Sequence, residues 1–124
     1  MAELTFTERP VAQSCRRIDF DSAHVSPGIV PNTFFLTVTG TTPCVNMEVS
    51  LVPLVYVRCP EYWEIEVVGC LPSGICLTAI GQFSKTIELT PTMRGSKGVA
   101  VVGGTKRKEM EVSGGCAEGF EFHG

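Results

Sequence analysis

Residues 44–71, CVNMEVSLVPLVYVRCPEYWEIEVVGCL, constrain the fold more than any other stretch. In the first half, Val45, Met47, Val49 and Leu51 alternate with Asn46, Glu48 and Ser50. In the second, Trp63, Ile65 and Val67 alternate with Glu64 and Glu66. A period of two places each apolar set on one face of a pleated strand, toward a core. The connection Cys59-Pro60-Glu61 is short and carries a proline, so the two segments are expected to pair antiparallel. Pro53 cannot donate to a ladder. The first segment is therefore expected to bend there and to continue through 54–57, apolar on both faces, as strands do at sandwich corners.

The remaining sequence repeats this grammar. Residues 3–6 alternate briefly and are expected at a sheet edge. Over 15–20, Ile18 and Phe20 share one face, Arg17 and Asp19 the other. Residues 21–32 hold Pro27-Gly28 and Pro31-Asn32 and read as the longest loop. Over 33–39, Phe34, Leu36 and Val38 point inward. A turn at 40–43 follows. Further strands are expected at 75–80, at 83–90 with Phe83, Ile87 and Leu89 inward, at 98–102, and at 106–112 with Met110 and Val112 inward. Residues 91–97 read as a loop. Residues 98–102 are apolar on both faces, which marks a central strand. Gly103-Gly104-Thr105 is a turn, and the tail 113–124 is expected to be loosely held.

No window carries helical periodicity. The expectation is an all-β fold: one domain over 1–124, an antiparallel β-sandwich of seven to nine strands, with a small β-barrel as the alternative. The sandwich shape resembles immunoglobulin-like and fibronectin-type modules. The Cys–Trp–Cys signature is not met: Cys44 to Trp63 is long, and no tyrosine precedes Cys116 at the corner position.

Charged residues make up 19% of the chain, against about 25% in an ordinary globular domain. The surface is short of charge. A net charge of −3 disfavours a phosphate-dominated nucleic-acid mode. The basic clusters, Arg16-Arg17 and Lys106-Arg107-Lys108, are small. No apolar leader and no run of membrane-spanning length is visible. A soluble cytoplasmic protein is the expectation, although an exported chain whose signal has been removed would look the same. The six cysteines lack C-x-x-C spacing. In a cytosolic protein most are expected to be free thiols, with Cys70 and Cys76, flanking a turn, as the one candidate disulfide.

The densest polar constellation is Asp19, Asp21 and His24. Two carboxylates two apart share one side of a strand, and an imidazole follows. Such a set suits a divalent metal or an acid–base pair. The competing reading is structural: aspartates before a Ser/Pro/Gly loop cap turns, and Arg16 and Arg17 are near enough to pair with them. Glu64 and Glu66 share a strand face and read as its solvent side. No cofactor motif is present. The function expected is therefore non-enzymatic: an interaction module working through protein contacts or as a homo-oligomer, with no nucleic-acid or membrane partner. Alternatives are a carbohydrate- or small-ligand-binding module using Phe35, Tyr56, Tyr62 and Trp63, and a metal-assisted hydrolase centred on Asp19, Asp21 and His24.

Overall fold

A computed structural model describes residues 14–116 of the chain. It is all-β: eight strands in two sheets of five and three, and no α-helix among the described residues. In chain order the strands are β1 (Ser14–Arg17), β2 (Ser22–Pro27), β3 (Phe34–Thr42), β4 (Glu48–Pro53), β5 (Tyr62–Leu71), β6 (Gly81–Glu88), β7 (Gly98–Val102) and β8 (Arg107–Glu111). A 3-10 turn spans Pro91–Met93.

The five-stranded sheet is built around β5. Along one edge of β5 runs β4, antiparallel, from Glu48 opposite Cys70 to Pro53 opposite Ile65. The other edge is shared end to end: β1 pairs antiparallel with 68–71, and β7 pairs parallel with 62–66. β8 lies antiparallel outside β7. The smaller sheet is β2-β3-β6, antiparallel throughout. The β5–β7 pairing makes the larger sheet mixed rather than purely antiparallel. It is possible because the chain leaves β5, builds β6 in the other sheet and returns, the long crossover a parallel pair requires.

One apolar cluster joins the two sheets. Trp63, Ile65 and Val67 of β5, Val49 and Leu51 of β4, and Val99 and Val101 of β7 are buried with Ala23, Leu36, Val38 and Phe83 of the smaller sheet. Ile18 and Phe20, where the chain passes from β1 to β2, are buried among them. Each fully buried aliphatic side chain contributes about 1.5–3 kcal/mol relative to exposure. β7 is central, as its two apolar faces imply: Val99, Ala100 and Val101 are all inaccessible.

Several expectations are corrected. Residues 21–32 are not a long loop; β2 occupies 22–27, and Pro27 closes it opposite Phe34. β3 runs through Gly40 to Thr42 instead of turning at 40–43. Residues 75–80 form no strand and are exposed throughout. β4 ends at Pro53; residues 54–57 are a connection in which Val55 and Val57 face solvent. Val45 points outward, because the chain turns at Cys44, whose carbonyl accepts from Met47 N. The segments 3–6 and 117–124, with His123, lie outside the described residues.

The largest correction concerns sulfur. No cysteine is free: the bridges are Cys15–Cys70, Cys44–Cys76 and Cys59–Cys116. Cys70 and Cys76 each have a different partner. Ile18 N donates to Val67 O, so 18/67 and 16/69 are hydrogen-bonded pairs and 15/70 is a non-hydrogen-bonded pair. There facing side chains approach closest, and Cys15 and Cys70 sit opposite each other.

The segment after the 3-10 turn holds a buried arginine. Arg94 is 1% exposed. Its Nε donates to Leu89 O at 2.9 Å, Nη1 to Ser113 O at 2.7 Å and Nη2 to Asn32 O at 3.1 Å. The guanidinium also lies over the Phe34 ring, 5.1 Å from its centre. Burial pulls its pKa below the usual arginine value; it remains a cation at any working pH. Its partners are carbonyls from three separate loops, which it locks together. Asn32 is held at φ 64° and Gly114 at φ 79° around it; a Cβ on Gly114 would meet Asn32 Oδ1 at 2.5 Å. Replacing Arg94 with methionine keeps most of the bulk and leaves these buried acceptors unpaired. The variant is expected to lose about 3 kcal/mol or more in urea unfolding, with lysine recovering only part. A loss below about 1 kcal/mol would contradict this role.

Candidate functional site

Asp19, Asp21 and His24 do not converge. Asp19 follows β1, and its carboxylate closes the β7–β8 turn. Thr105 N and Lys106 N donate to Oδ1 at 2.7 and 3.1 Å, and Thr105 Oγ1 donates to Oδ2 at 2.5 Å. Asp21 is exposed, its N–H bonded to Thr39 O. His24 is exposed on β2, opposite Thr37. Among the described residues, no three His, Cys, Asp or Glu side chains are placed to hold a metal ion together. Neither Arg16 nor Arg17 takes the expected role beside Asp19; Arg17 approaches Glu66 at 3.9 Å.

The second basic cluster is also engaged within the chain. Arg107 bridges Glu64 and Glu109, and hydrogen bonding to Glu64 raises its pKa. Lys106 and Lys108 donate to the carbonyls of Phe20 and Ala23. Trp63, the aromatic on which a sugar platform would depend, is 5% exposed. Its Nε1 donates to Leu54 O at 2.9 Å, and Tyr56 meets it edge-on at 4.9 Å between centres. No helix among the described residues is long and apolar enough to cross a membrane.

What the structure does assemble is an aliphatic loop at the end where β5 passes to β6. Every residue of 72–80 is exposed. Ile75, Leu77 and Ile80 are 63%, 53% and 77% accessible, and Val45 beside them is 52%. The loop is nevertheless held. Cys76 is bridged to the buried Cys44. Val45 N donates to Leu77 O at 3.1 Å. The Asn46 side chain clamps two backbone groups at once: Nδ2 donates to Ile75 O at 2.8 Å and Oδ1 accepts from Leu77 N at 3.0 Å. Gly74 N donates to Leu71 O, closing the turn at the foot of the loop. Other exposed aliphatics are Ile29 and Val30, between β2 and β3, and Val55 and Val57, between β4 and β5. Sequence reasoning missed this loop as a surface because it assigned 75–80 to a strand; the available signal was a cysteine inside an aliphatic turn-rich segment.

Comparison with protein-family models, with curated proteins and with solved structures finds no match for this chain.

The Thr105 side chain, then its backbone N–H, hold the Asp19 carboxyl below the ordinary aspartate value. A carboxylate with a depressed folded pKa stabilises fully above its unfolded pKa, about 3.9, and that contribution is lost as pH falls through the lower folded value. Asp19→Asn should therefore be less stable than the wild type at pH 6, with the gap narrowing below about pH 4. A gap independent of pH in acid unfolding curves would refute the assignment.

Proposed function

We propose that this chain is a disulfide-stapled β-sandwich, immunoglobulin-like in outline, that works through protein contacts, self-association included, and performs no catalysis. The observation that carries the reading is the loop 72–80. Three exposed aliphatic side chains with Val45 beside them are fixed in place by a disulfide and an asparagine clamp. Exposed apolar clusters mark contact surfaces, and a loop already rigid loses little conformational entropy on binding. A rigid β scaffold presenting such a loop is a common arrangement for recognition. Against catalysis stands the use of Asp19 as a turn cap and the solvent-facing position of His24.

The same pairing of all six cysteines supports an oxidising compartment, where such bridges persist, over the cytoplasm expected from the sequence. The single-domain reading rests on the one apolar cluster shared by both sheets.

The test is light scattering coupled to size exclusion, across micromolar to millimolar concentration. The expected result is a mass that rises with concentration and returns to the monomer value in Leu77→Asp and Ile80→Asp. Both positions are exposed, so unfolding free energy should change by no more than about 0.5 kcal/mol. A chain that stays monomeric throughout, and whose captured partners bind Leu77→Asp as well as the wild type, would overturn the proposal.

A further inference from the structure

The free edges of the two sheets are defended unequally. Gly28 N donates to Thr33 O, which makes 28/33, 26/35 and 24/37 the hydrogen-bonded pairs of β2 and β3. Ala23, Val25 and Pro27 then turn their backbone groups outward. This edge is blunted: Lys108 Nζ donates to Ala23 O at 2.7 Å, and Pro27 has no N–H to offer. The outward positions of β4 end at Pro53, by the same parity from Leu54 N to Glu64 O. β8, RKEME, carries four charges in five residues, a recognised edge defence.

β6 differs. Leu89 N donates to Phe34 O, so residues 81, 83, 85 and 87 bond to β3. Gln82, Ser84, Thr86 and Glu88 point their N–H and C=O groups away from it. The Thr37–Thr86 hydroxyl contact at 2.9 Å fits this parity, because side chains are closest at non-hydrogen-bonded pairs. None of the four is proline, and no other strand pairs with β6 among the described residues. Beside this edge an open cleft separates β6 from β4, lined by Met47, Val49, Phe83 and Lys85 among others. Lys85 lies on the inward face, opposite Val38, yet is exposed. An inward-pointing charge is this edge's one defence, and it turns away any added strand that brings no partner for it.

We propose that the outer edge of β6 accepts an extended segment of a partner protein as a fourth strand of the smaller sheet, with a carboxylate side chain facing Lys85. An antiparallel strand bonded to 82, 84, 86 and 88 places its inward side chains opposite Phe83, Lys85 and Ile87. The chemistry that fits is apolar–x–Asp/Glu–x–apolar, the outer residues reaching over Phe83 and Ile87. Charge complementarity selects this occupant over a second copy. No register of a second β6 offers Lys85 a carboxylate. Centred on residue 85, the pairing sets Lys85 against the partner's Lys85, a like-charge contact that destabilises a ladder. Centred on 84 or 86, it sets Lys85 against an apolar Phe83 or Ile87. The inference rests on the reading of this chain as a protein-contact module, but its test reads the β6 amides whereas the test of the loop reads Leu77→Asp and Ile80→Asp, so the two failures are distinguishable.

The test uses two synthetic peptides around Val-Thr-Glu-Thr-Val and Val-Thr-Lys-Thr-Val, titrated into the oxidised protein while backbone amide shifts are followed by NMR. The glutamate peptide should shift and protect the amides of Gln82, Ser84, Thr86 and Glu88, and the lysine peptide should bind about three- to tenfold more weakly. Lys85→Glu should reverse that preference. Thr86→Pro removes an outward N–H without removing a bond to β3, and should abolish binding while the spectrum stays that of a folded protein. If Thr86→Pro fails to fold, the charge reversal alone decides. Absence of shifts at these amides with millimolar peptide would overturn the proposal, as would equal binding of the two peptides. Concentration-dependent shifts at the same amides in the free protein, the mark of a β6–β6 dimer, would also overturn it.

Discussion

The ladder along β5 is the constraint on which the larger sheet depends. Ten residues serve three partner strands: β4 on one edge, and β1 and β7 sharing the other. The alternation of Trp63, Ile65 and Val67 with Glu64 and Glu66 fixes which face is buried, and a slip of one residue would turn the glutamates into the core. The outer face is consistent with this register, since Arg107 and Arg17 meet Glu64 and Glu66 there. The surface shortage of charge is thus met partly by pairing what charge there is across neighbouring strands.

Around that ladder, the ends of the sheets are tied by two different means. At one end Arg94 gathers the carbonyls of Leu89, Asn32 and Ser113, and Cys59–Cys116 fastens the same region covalently. Pro60 and Glu61 accept from Ser96 N and Lys97 N nearby. At the other end Cys44–Cys76 and Asn46 hold the aliphatic loop. A chain of 124 residues has core enough to fold without staples, so the bridges are best understood through what they hold. Closing loops with separations of 32, 55 and 57 residues, each removes about 4 kcal/mol of unfolded-state freedom on a chain-entropy account.

Strands that bury one face were legible from residue order. Phe34, Leu36 and Val38, then Trp63, Ile65 and Val67, then Phe83, Ile87 and Leu89, point inward as their spacing dictates. β2 was not legible, because Ser22-Ala23-His24-Val25-Ser26-Pro27 offers two modest apolar residues and ends in proline. Tertiary caps such as Lys108 on Ala23 O support it. Residues 75–80 misled in the other direction: their aliphatic content suited a strand, but the Cys44–Cys76 bridge and the Asn46 clamp fix a loop. Sulfur pairing is non-local, and six cysteines allow 15 connectivities, so spacing alone cannot select one. Arg94 gave no signal, since its acceptors come from positions far apart in sequence. The Asp19, Asp21, His24 set was visible as residues, but its geometry depended on the β7–β8 turn that claims Asp19.

The covalent framework is what holds the aliphatic loop in place, through Cys44–Cys76. The direct measurement is mass-spectrometric mapping of the disulfides in protein folded under oxidising conditions and digested without reduction. The account predicts three linked peptide pairs, Cys15 with Cys70, Cys44 with Cys76 and Cys59 with Cys116, and no alkylatable thiol in the native protein. Free thiols at Cys44 and Cys76, or a peptide joining Cys70 to Cys76, would contradict it.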